Sequence, residues 1–169
     1  MITDWLIPSS IIPDLVAENS DWEDLNPADN VLQFPLITKE DLNHIAVHDL
    51  AYTSKAGDIL IFSGLAIPAY TTITGIEVML DIRRRSRITD YVLQFYLGND
   101  AVSDNMAEAE PSRPNQSVYG SNTYNWSIDP SVNLQDPNFN LRLQVGPHPQ
   151  YPSKDPAIID KVAVRITYS

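Results

Sequence analysis

The chain has 169 residues, of which 43% are hydrophobic, 20% are charged and none is cysteine. That is the composition of one globular domain, and it excludes disulfide staples, thiolate metal ligands and cysteine nucleophiles. The net charge of -11 is concentrated in residues 1–58, where eleven acids face only Lys39 and Lys55, so contact with nucleic acid or an anionic membrane, which depends on Lys and Arg, is not expected.

Residues 1–30 mix Trp5, Leu6, Ile7, Ile11, Ile12 and Trp22 with Pro8, Pro13, Pro27 and many acids. They keep neither helical nor strand periodicity for long, and no basic stretch precedes an apolar one as in a signal peptide. This segment is expected to be an extended N-terminal arm on the surface of a domain spanning residues 31–169. Trp5, Ile7, Ile11 and Ile12 need burial somewhere. The arm either covers its own domain or reaches a partner, and these four residues are then the candidate partner contacts.

Val31–Ile37, Val47–Thr53 and Ile59–Ile67 read as strands, and Lys39–Val47 as one short helix with Thr38 as its N-cap. His44 and His48 would share a face of that helix. Ile45 stands where a zinc-protease motif needs glutamate, so no metal is expected there. From Gly75 to Arg83, Ile76, Val78, Leu80 and Ile82 alternate with Glu77, Met79, Asp81 and Arg83, the period of a half-buried strand. Arg83, Arg84, Arg85 and Arg87 follow as a basic cluster. It is either the solvated tip of a hairpin or a contact for carboxylates on a partner, which suit the planar fork of arginine.

Tyr91–Leu97 is apolar on both faces and reads as a central strand. Asp100, Asp104 and Asn105 lack the glycine and terminal glutamate of an EF-hand calcium loop. Ser117–Ile128 is expected to be a further strand. Its Tyr119, Tyr124 and Trp126 either alternate into the core or form an aromatic platform for a glycan. Phe139, Leu141, Leu143 and Val145 alternate with Asn140, Arg142 and Gln144, as do Val162, Val164, Ile166 and Tyr168 with Ala163, Arg165 and Thr167.

About eight strands separated by turns rich in Pro, Asn and Asp predict an all-β fold, an antiparallel two-sheet β-sandwich. No Gly-x-Ser-x-Gly elbow and no phosphate-cradling loop occurs among the six glycines, so neither catalytic residues nor a cofactor is expected.

Asn26-Pro27-Ala28-Asp29-Asn30 after Trp22, Ile67-Pro68-Ala69, Ile73 to Val78, Ile88 to Tyr91, Tyr119-Gly120-Ser121, Asp136 to Phe139 and Ile159 to Val164 follow one another over most of the chain. In that order they resemble a jelly-roll module of tailed-phage virion proteins, over about residues 20–169. The resemblance implies a jelly-roll sandwich and a structural role in the virion, as in capsid decoration or cement proteins, minor tail proteins and fibre domains. It further implies the major capsid protein or another virion protein as partner, and a homo-oligomer, a trimer for a decoration protein. A carbohydrate-binding tail or receptor-binding domain is the alternative. Ser121 stands where the family pattern has a second glycine after Tyr-Gly, and Ser127 where it has a glycine after Trp.

Overall fold

A strand buries every second side chain, so the alternating segments each have one face committed to a core. In the computed structural model, residues 1–14, 22–24, 46–48, 59–84, 88–108, 116–147 and 157–169 are described. They form β1 (Ser10–Asp14), β2 (Trp22–Asp24), β3 (Ala46–His48), β4 (Ile59–Ser63), β5 (Ile73–Arg84), β6 (Ile88–Leu97), β7 (Asp100–Ala101), β8 (Gln116–Ser121), β9 (Phe139–Pro147) and β10 (Ala157–Tyr168), with no helix among the described residues.

The strands make two antiparallel five-stranded sheets, ordered β1-β4-β9-β6-β7 and β2-β3-β10-β5-β8. Pairings are nested: β3 with β10, β4 with β9, β5 with β8 and β6 with β7. A chain doubled back into one long hairpin and then rolled up produces this nesting, so that strands β3 to β6, and again β7 to β10, fall alternately in the two sheets. It is the jelly-roll plan, with two Greek keys, and the fold is an all-β sandwich.

Between the sheets lie Ile76, Val78 and Leu80 of β5, Leu93 and Phe95 of β6, Leu141, Leu143 and Val145 of β9, and Val162, Val164 and Ile166 of β10, all buried. Full burial of each such side chain contributes roughly 1.5–3 kcal/mol relative to exposure. Phe95 joins this core to the turns beyond β8, stacked on Phe139 with centroids 5.1 Å apart and tilted against Trp126 at 5.0 Å.

Several local expectations change. Tyr91–Leu97 lies in β6, an interior strand between β9 and the short β7, but only Leu93 and Phe95 are buried, and its other face is partly open. The strand expected over 117–128 stops at Ser121 and gives way to turns. Ala46, expected at the end of a helix, is in β3 together with Val47 and His48, where a strand over Val47–Thr53 was also expected; residues 31–37, 39–45 and 49–53 lie outside the described residues.

Residues 1–14 are extended, as the arm was expected to be, and they pair with both sheets. β5 occupies one flank of β10 along its length, so the bridges Ile2–Thr167 and Leu6–Val164 place the N-terminal segment on the other flank, beyond the end of β3. The chain then passes the buried Pro8, Ser9 donates its N–H to the Ser63 carbonyl at 3.0 Å, and β1 pairs with β4 in the second sheet. The segment thus straps one edge of the sandwich. Proline at position 13 suits an edge strand, because an outward N–H is not needed there.

Candidate functional site

Trp126 is fully buried. Its indole N–H donates to the Ile76 carbonyl at 3.0 Å, its ring packs on Phe95, and both it and Ser127 hold left-handed backbone, with φ of 59° and 57°. Gly120, with φ of 82°, lies so close that a Cβ there would collide with the Ile76 carbonyl and the Trp126 indole nitrogen. Tyr119 is also buried, and its hydroxyl donates to the Asp90 carboxylate across the two sheets. Neither ring presents a face to solvent, so of the two alternatives for Tyr119, Tyr124 and Trp126 it is packing into the core that the structure shows. Tyr124 is half-buried against the core, and its hydroxyl is held by Asp104.

Asp104 ties this region to the edge of the other sheet. Its carboxylate accepts from Tyr124 and, at 2.6 Å, from the Ser127 hydroxyl, and its N–H donates to the Trp126 carbonyl at 2.8 Å. The Ser127 and Tyr124 hydroxyls hold the Asp104 carboxyl below the usual carboxylate range. Ser127 thus holds a left-handed backbone of the kind that favours glycine, and its hydroxyl adds a hydrogen bond that glycine cannot make.

The arm residues find partners in their own chain. The half-buried Trp5 ring lies under the Arg165 guanidinium, 4.5 Å from its centroid, and Arg165 makes a two-pronged ion pair with Glu77 at 2.9 Å for each prong. The Glu77 hydrogen bonds raise the Arg165 pKa above its ordinary value. Leu6 packs on the core and Ile7 is half-buried. Ile11 and Ile12 pair through their backbones with Phe62 and Ile61.

Arg83 and Arg84 end β5 opposite Ile158 and Ala157 of β10, whereas Arg85 and Arg87 lie outside the described residues. β5 and β6 belong to different sheets, so the cluster marks a crossover between sheets and not the tip of a hairpin. His48 is in β3, with its register opposite Trp22 and Ala157, so it shares no helical face with His44, which lies outside the described residues.

Two features were not foreseen from sequence. Arg142 alternates outward on β9, yet it is buried beneath the Tyr96 ring at 4.2 Å and donates to the Gly98 carbonyl, Asn99 and Asn140, clasping the β6–β7 turn. The second is a notch of about 50 Å³ between residues 70–73 and 125–134, with Tyr70, Ile73, Val132 and Leu134 among its walls. Small-molecule pockets are usually about 300–1,000 Å³; this one has room for part of a side chain. No family model, curated protein or solved structure matches the chain.

Proposed function

We propose that this chain is a structural protein of a tailed-phage particle, a capsid decoration protein that binds the outer surface of the shell as a trimer. The observation that carries this reading is where the motifs behind the family resemblance fall. Gly75 sits so tightly on the backbone of Asn122 that a Cβ would collide with it, Gly120 makes room for Trp126, and Asp136 caps the turn into β9 by accepting from the Asn138 N–H at 2.8 Å. Ile159 to Val164 lies in β10, where Val162 and Val164 are core residues. These motifs serve the sandwich itself, which suits a scaffold that works through its outer surfaces. The burial of Tyr119 and Trp126 favours this reading over a carbohydrate-binding tail or receptor-binding domain, since two of the three candidate aromatic rings are in the core.

The test is the composition of purified particles. A decoration protein is present in a copy number that follows the capsid lattice and rebinds to stripped shells as a trimer. Replacing Arg83, Arg84, Arg85 and Arg87 by Ser should weaken rebinding at low salt, because exposed ion pairs are screened as salt rises. Absence from particles, or a copy number matching a tail component, would overturn the assignment to the shell.

A further inference from the structure

The notch beside β5 has a chemistry of its own. Its inner polar groups are already engaged: the Tyr70 hydroxyl accepts from the Leu134 N–H at 2.8 Å and donates to the Val132 carbonyl, while the Asn125 amide donates to the Ile128 carbonyl. The Thr71 and Thr72 N–H groups are taken up by the Ser169 carbonyl. The apolar walls therefore remain as contact surface, together with one charge. Asp129 is exposed on the lining, with Oδ1 fixed by the Ser131 N–H at 2.8 Å and the Ser131 hydroxyl at 2.6 Å, and no described residue bonds its Oδ2. The two chain segments that line the notch, residues 70–73 and 125–134, contain no Lys or Arg, and Asp129 is their one charged side chain.

We propose that this notch is a docking site for a lysine or arginine side chain of a protein partner, the aliphatic stem lying on the apolar walls and the cationic head meeting Asp129. Long cationic side chains bury their stems on apolar surface and keep the charge outside, and the notch is sized for a stem rather than for a whole ligand. A carboxylate already fixed by its own turn loses little freedom on meeting the cation. The hydrogen bonds from Ser131 also hold the Asp129 carboxyl below the usual range, so it stays charged in mildly acid solution. The proposal names a contact surface for the decoration reading and rests on it.

The experiment uses the free, full-length chain, so its outcome is independent of whether the chain occurs in particles. Amide chemical shifts are followed by NMR while Nα-acetyl-arginine amide is titrated, with the neutral isostere Nα-acetyl-citrulline amide and the apolar Nα-acetyl-norleucine amide as comparisons. Saturable shifts at Ser131, Val132 and Leu134 are expected with the arginine probe. Binding should be on the order of five-fold weaker for citrulline, the size of an exposed ion pair. Asp129→Asn keeps the Oδ1 acceptor for Ser131 and should reduce arginine binding by a similar factor, and Val132→Trp, which fills the notch, should abolish it. Equal binding of arginine, citrulline and norleucine, undiminished binding by Asp129→Asn or Val132→Trp, or the absence of saturable shifts would each overturn the proposal.

Discussion

Replacing Trp126 by Ala tests whether the turn beyond β8 is part of the core or a binding surface. The side chain is fully buried, contacts Phe95 at 5.0 Å between centroids and donates to the Ile76 carbonyl. Removing a buried aromatic costs about 3–5 kcal/mol, and the lost indole donor adds about 1 kcal/mol. Alanine gains nothing from the left-handed backbone at this position, since it has a Cβ as well. Folded domains hold about 5–15 kcal/mol in all, so the variant should sit near the limit of stability. Its melting temperature should fall by about 10 °C or more, given roughly 2–4 °C per kcal/mol for a domain of this size. Trp126→Phe retains most of the packing and should lose only about 1–2 kcal/mol. Gly120→Ala should cost at least about 2 kcal/mol, from strain at positive φ and from collision with the indole. In a double-mutant cycle its effect should shrink when Trp126 is already Ala, because one of the two colliding groups is gone. The assay is urea unfolding followed by far-UV circular dichroism. A Trp126→Ala protein within 1 kcal/mol of wild type would refute the reasoning and return Trp126 to the surface.

Three further outcomes are expected. Deleting residues 1–8 removes the bridges to β10 and the Trp5–Arg165 stack; it should lower the melting temperature or cause aggregation visible by light scattering, and an unchanged melting temperature would show that the strap contributes nothing in its own chain. Thr167→Val replaces a buried hydroxyl that has no hydrogen-bond partner among the described residues with a methyl group of like shape, and should leave stability equal or raise it by about 1 kcal/mol, read from thermal melting. The depressed pKa of Asp104 means that its contribution is present above the ordinary carboxylate value of 3.8 and is lost as pH falls through the lower folded value; the melting temperatures of wild type and Asp104→Asn should therefore differ at neutral pH and converge on acidification.

The sequence by itself determined which residues enter the core of the longest strands. Ile76, Val78 and Leu80, then Leu141, Leu143 and Val145, and Val162, Val164 and Ile166 alternate in the text of the chain and are buried in the structure, because a period of two leaves one face for each strand. The all-β class followed from the same local signal. What only the tertiary structure decided was which strands meet. The nesting of β3 with β10 and β4 with β9 joins segments far apart in the chain, and nothing local in a strand names its partner. Trp126 is in the core, as alternation with Tyr124 allowed, but it arrives there from a turn through left-handed backbone and not from a strand. Arg142 followed its pattern outward and was buried all the same, because Tyr96 and the β6–β7 turn close over it. The notch, likewise, exists only where residues 70–73 and 125–134 are brought together. Alternation reports a side chain's direction, whereas burial depends on what the rest of the chain places above it.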